Sequence, residues 1–185
     1  MIDVRIHGRG GQGSLVLAQF MAIAALEDGK YGQAFPFLGG GGERRGKAIM
    51  AFCRLDDKPI RIRSRVENPD CVIVQDVTIL GETDVFSGLK ENGIALVNTE
   101  KSRSELGIPS LPWKLFAISA DELARSILGK PIINSALLGA FAGLTNALSL
   151  EAAIRAVLNR LPGELGEKNA RIVKESYARM MERLS

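Results

Sequence analysis

Two rhythms of apolar residues alternate along this chain, and they set the elements to expect. Ile2 to His7 alternates apolar with polar positions, the period of a half-buried strand. Gln12 to Asp28 (QGSLVLAQFMAIAALED) is rich in helix formers and apolar on several faces, which predicts a buried helix ended by Gly29. Lys30 to Gly46 is expected to be a glycine-rich loop carrying Tyr31, Phe35 and Phe37, with glycines at 39 to 42. Ala48 to Leu55 and Pro59 to Arg63 flank Asp56-Asp57-Lys58 and predict a hairpin. In its second arm Ile60 and Ile62 alternate with Arg61 and Arg63, so one face is expected to be buried and the other basic.

Cys71 to Gln75, Ile94 to Asn98 and Lys114 to Ile118 are apolar runs of the kind found in central parallel strands. Glu100 to Pro112 is polar and broken by prolines, and reads as a loop. Helices are expected over Ser119 to Leu128, Asn134 to Leu148, Leu150 to Leu161 and Glu164 to Arg183, with Pro162-Gly163 separating the last two. Strands alternating with helices predict an α/β fold. The expectation is a three-layer α/β/α sandwich with a mostly parallel, Rossmann-like sheet and an inserted hairpin, in a single domain over residues 1–185.

The first strand runs directly into Gly8-Arg9-Gly10-Gly11-Gln12-Gly13. A strand that turns through glycines into a helix gathers unpaired N–H groups at the positive end of a helix dipole, a favourable place for an anion. Glycines 8, 10 and 13 also have the dinucleotide-binding spacing, but the acidic residue that would hold a ribose about 20 residues on is missing. Three readings remain open: a dinucleotide cradle, a tight turn for close helix–sheet packing, and an anion contact made by these N–H groups with Arg9. Farther on, Gly39 to Gly46 (GGGGERRG) lies beside Phe35, Pro36, Phe37 and Leu38, and reads as a docking loop.

Charge adds a local feature and removes several functions. The net charge of +3 is too small to imply nucleic acid, but Arg44, Arg45, Arg54, Arg61, Arg63 and Arg65 make a basic patch. An exposed stripe, a contact for an acidic partner and a contact for phosphates all fit Arg61, Arg63 and Arg65. The longest apolar stretch, Ala136 to Leu144, is too short to cross a membrane. One histidine (His7) and two distant cysteines (Cys53, Cys71) cannot ligate an iron–sulfur cluster or close a zinc site. The cysteines read as core residues, and no basic, apolar leader opens the chain, so a reduced cytoplasmic protein is expected.

Taken in order, GRGGQG, KYGQAFP, ERRG, PIRIRS, NPDCVIVQD, INSALLGAFAG and GEKNARIVKESY resemble one family, from about Asp3 to Tyr177. It is the gamma subunit of the 2-oxoacid:ferredoxin oxidoreductases, and ERRG is closer to its pyruvate branch. The resemblance implies a complex with alpha, beta and delta subunits. These partners would carry thiamine diphosphate, Mg and iron–sulfur clusters, and electrons would pass to ferredoxin and the acyl group to coenzyme A. It also implies that this chain is not catalytic alone. Residue by residue, Gly8, Arg9, Gly10, Gly11, Gln12 and Gly13, with Arg44 and Arg45, match the positions where coenzyme A would be contacted. Where relatives have a short aromatic-Gly-Pro step, this chain has Phe37-Leu38 and four glycines, a longer loop. The apolar groups beside that loop predict that the isolated chain self-associates.

Overall fold

The computed structural model describes residues 1–37, 46–110 and 112–184. Gly39 to Gly42, Arg44 and Arg45 lie outside the described residues. Among the described residues the order is β1 (Ile2–Arg9), α1 (Ser14–Glu27), β2 (Tyr31–Phe37), β3 (Ala48–Asp56), β4 (Cys71–Val74), a 3-10 turn (Val77–Gly81), β5 (Ile94–Asn98), β6 (Lys114–Ile118), α2 (Ala120–Leu128), α3 (Asn134–Thr145), α4 (Leu150–Arg160) and α5 (Gly163–Glu182). The strands form one sheet in the order β2-β3-β1-β4-β5-β6. β1, β4, β5 and β6 are parallel, whereas β3 runs antiparallel to both β1 and β2. The α/β class is the expected one, and the sheet, expected to be mostly parallel, is mixed, with β3 antiparallel to its neighbours.

The hairpin has a different partner from the one expected. Its arms are β2 and β3, with Phe35 opposite Phe52, and Pro59 to Arg63 forms no strand. Gly32 and Pro36 hid β2, because both are poor residues for a strand interior. An edge strand tolerates the proline. Gly32 serves a close approach: a Cβ there would stand 2.4 Å from the Ala22 carbonyl oxygen of α1. The alternation of Ile60 and Ile62 does not signal a buried face either, since Ile62 is 47% exposed.

The sheet's two faces are dressed differently. Val4, Ile6, Cys53, Leu55, Cys71, Ile73 and Leu96 share one core with residues of all five helices. On the other face Val72, Val74 and Val97 pack with Ile79 of the 3-10 turn, Val85, Phe86, Leu89 and Leu106. That covering layer is therefore thin, made of turns instead of long helices. Within the helical layer α3 presses against α5: a Cβ on Gly139 would lie 2.3 Å from the Val173 carbonyl oxygen. α3 stops at Thr145, short of the expected Leu148, because Asn146 takes a left-handed conformation (φ 52°) and caps it.

Three buried polar side chains stand on the thinly covered face. Arg5 donates from Nε to His7 Nε2 at 3.0 Å and from its guanidinium to the carbonyls of Glu67, Val85 and Ser87. Burial, then the Arg5 charge, pulls the His7 pKa down to about 3, so the ring is neutral. Arg54, expected in the exposed basic patch, is only 3% exposed. It pairs with Asp3 at 2.9 Å and donates to the carbonyls of Ile62, Ser64 and Arg65. A strand residue facing a covered side cannot reach the surface, whatever its charge.

Candidate functional site

β1 and β4 are adjacent and parallel, yet the chain leaves them in opposite directions across the sheet. From β1 it passes through α1 to the β2–β3 side; from β4 it proceeds to β5 and β6. Such a switch point opens a crevice beyond the carboxyl ends of the strands. A cleft of about 510 Å³ lies there, lined by Gly11 to Gly13, Gln75 to Val77, Asn98, Asp121 and Pro131 to Asn134.

The ends of β4 and β5 and the first turns of α1, α2 and α3 bring polar residues to this cleft, and hydrogen bonds lock them together. Ser14 Oγ donates to Gln75 Oε1 at 2.5 Å, and Gln75 Nε2 donates to Asn134 Oδ1 at 2.9 Å. Asn98 Nδ2 donates to the Gln75 carbonyl and to Asp121 Oδ2, while Asn98 Oδ1 accepts from the Ala120 N–H. Gln12 bridges the first loop, accepting from the Arg9 N–H and donating to Asp76 Oδ2 at 3.0 Å. Desolvation pushes the Asp76 pKa up, but hydrogen bonds from Thr78 and Gln12, with the Arg9 charge, outweigh it and hold the carboxyl below its ordinary range.

The glycine motif divides between packing and lining. Gly8 lies beneath the network, where a Cβ would meet Gln75 Oε1 at 2.3 Å and Ser14 Oγ at 2.5 Å. Gly11 (φ 97°) and Gly13 (φ 78°) take left-handed conformations. Gly13 caps α1, whose first turn carries no acidic side chain and no side-chain cap, so its N–H groups face the cleft end of the helix. Gly10 pairs with the end of the ERRG segment: its N–H donates to Lys47 O at 2.8 Å, and its carbonyl accepts from Gly46 N at 3.0 Å. The glycine motif thus meets Gly46 and Lys47 at the end of β1.

Arg9 is committed elsewhere. Its guanidinium donates to Thr78 Oγ1, Glu82 Oε1 and the Gly46 carbonyl, and the hydrogen bond to Glu82 raises its pKa. The cleft lining described here contains Asp76 and Asp121 but no lysine or arginine. Backbone N–H groups and amide side chains are its hydrogen-bond donors. Cys53 and Cys71 are buried with raised pKa values, chiefly by desolvation, and His7 is occupied by Arg5. Among the described residues, no three His, Cys, Asp or Glu side chains gather where they could hold a metal ion.

Sequence reasoning found Gly11, Gln12 and Gly13 but missed Gln75, Asp76, Asn98, Asp121 and Asn134. A signal for all of them but Asp121 existed: VIVQD, LVN and the start of INSALLG each place an amide or acid where a parallel strand ends or a helix begins.

Residues 3–179 match the family described as pyruvate ferredoxin/flavodoxin oxidoreductase. The chain is 46% identical over 183 residues to the pyruvate synthase subunit PorC of Methanocaldococcus jannaschii, covering 99% of each. It is 49% identical over 179 residues to the pyruvate/ketoisovalerate oxidoreductases common subunit gamma of Pyrococcus furiosus, covering 96% of each. The crystal structure of pyruvate oxidoreductase subunit PORC from Thermotoga maritima matches with a TM-score of 0.84 at 36% identity, covering 96% of this chain and 95% of that one.

Proposed function

The chain belongs to the pyruvate ferredoxin/flavodoxin oxidoreductase family, and from that premise we propose that it is the gamma subunit of a thiamine diphosphate-dependent 2-oxoacid:ferredoxin oxidoreductase acting on pyruvate. In this reading alpha, beta and delta subunits hold thiamine diphosphate with Mg and the iron–sulfur clusters. When bound in those subunits, thiamine diphosphate would supply decarboxylation of the 2-oxoacid with release of CO2, the clusters would carry the two electrons to ferredoxin, and the acyl group would pass to coenzyme A. The observation that carries the proposal is the match along nearly the whole chain at 46% identity to a pyruvate synthase subunit.

The residues here support that division of labour. The buried thiols of Cys53 and Cys71 and the occupied His7 do not fit a cluster or a metal. The uncapped first turn of α1, opening on Gly11 to Gly13, fits an anionic or carbonyl oxygen of coenzyme A, with Gln12 as a side-chain donor. Arg44 and Arg45 belong to this proposed contact through the sequence resemblance alone. The alternative, a free-standing dinucleotide-binding domain, is disfavoured by topology. Antiparallel β3 separates β2 from β1, so the end of β2 cannot supply a ribose-binding acid beside the glycine turn.

Affinity purification of the native protein tests the assembly. Co-purifying chains that carry thiamine and iron are expected, and a lone chain that binds NAD or FAD would overturn the reading. In the assembled enzyme Gln12→Ala is expected to raise KM for coenzyme A several-fold with kcat nearly unchanged. An unchanged KM would remove the coenzyme A contact while leaving the subunit assignment standing.

A further inference from the structure

Residues 58 to 65 (KPIRIRSR) carry four cations and no acid. They form a strap outside the sheet, and its most exposed stretch is Arg61-Ile62-Arg63-Ser64-Arg65. The strap is held from behind. Buried Arg54, itself paired with Asp3, donates to the carbonyls of Ile62, Ser64 and Arg65, and Val66 is anchored in the interior. Arg65 stacks over the Phe37 ring at 5.0 Å, which ties the strap to edge strand β2. Among the described residues, Arg61, Arg63 and Arg65 make no ion pair, and the N–H groups of residues 60 to 65 make no backbone hydrogen bond. Three exposed arginines therefore stand on a backbone fixed by its carbonyls.

We propose that this strap is a docking surface for an acidic segment of another subunit of the same oxidoreductase. The inference rests on the chain being such a subunit. Exposed Ile62 between two arginines decides for a protein over a small anion, because arginine mixed with apolar surface is the composition of a protein interface, and phosphate recognition has no use for the isoleucine. Clustered cations of this kind steer an acidic partner and fix its register. Holding the strap in advance lowers the entropy cost of docking.

The test uses the whole complex, purified through a tag on this chain. Arg61→Glu with Arg63→Glu is expected to weaken retention of at least one partner chain by about tenfold or more. Wild-type retention should fall with rising salt, and the melting temperature of the isolated variant should match the wild type, since both side chains are exposed. Lys174→Glu with Arg179→Glu on α5 makes the same charge change elsewhere and should leave assembly intact. Equal loss from that control pair, or full retention by the strap variant, overturns the proposal. So does intact assembly with a raised KM for coenzyme A, which would mark the strap as a small-anion site. A wild-type chain that retains no partners at all defeats the subunit reading instead.

Discussion

Gly8→Ala separates a packing role of the glycine turn from a ligand role. The added Cβ would stand 2.3 Å from Gln75 Oε1 and 2.5 Å from Ser14 Oγ, about an ångström inside ordinary contact. Both atoms must retreat, which breaks the 2.5 Å bond between them and draws Gln75 Nε2 away from Asn134. Each buried polar group left unpaired costs about 1–3 kcal/mol, so two such groups cost about 2–4 kcal/mol when the loss is partial. The smaller entropy loss of alanine over glycine returns about 0.5–1 kcal/mol. A net loss of about 1–3.5 kcal/mol lowers Tm by about 2–14 °C for a chain of this size. Urea unfolding and thermal melts, read by circular dichroism, measure it. In a Ser14→Ala background Gln75 has one fewer bond to lose, so the same substitution should cost about 1 kcal/mol less. A Gly8→Ala chain as stable as the wild type, or strict additivity with Ser14→Ala, would refute the packing argument.

Two further outcomes follow from the buried groups. His7 is neutral in the fold with a pKa of about 3, while an unfolded histidine titrates near 6.5. Between those values the unfolded chain binds the extra proton, so His7 makes stability fall with decreasing pH by up to about 1.4 kcal/mol per unit, with no contribution above the window. Denaturation of the wild type and His7→Gln at pH 7, 5.5 and 4 should show a shallower slope in the variant; equal slopes would contradict it. Cys53 and Cys71 are buried with raised thiol pKa values, so a thiol reagent should label neither in the native chain and both after unfolding. Native labelling within minutes would mean that the sheet opens at one of these positions.

The elements that were legible in the sequence are those whose pattern is set by their own burial. β4 and β5 are apolar runs because both of their faces are covered, β1 alternates because Asp3, Arg5 and His7 occupy its second face, and α2, α4 and α5 were placed to within a residue or two by their periodicity and caps. β2 was hidden because an edge strand can hold Gly32 and Pro36, which argue against a strand anywhere else. Ile60 and Ile62 misled for the opposite reason. They have a strand's rhythm, but the carbonyls beside them bond to an arginine side chain instead of a ladder. One wall of the cleft, Gly11 to Gly13, was visible as a local motif. The rest comes from residues 75 to 134, far apart in the chain, which meet only because parallel strands end at the same edge.

The pairing of Asp3 with Arg54 has a consequence for quality control. The two residues are directly opposite in the β1–β3 ladder, so their ion pair forms only when the strands have joined in the correct register. A slip of one residue would turn Arg54 into the helical core and leave the carbonyls of 62, 64 and 65 with nothing to grip them. The arginine strap is then a report on the sheet beneath it. A subunit that has folded in the wrong register displays no ordered strap, and assembly that depends on it would reject that subunit before it entered a complex.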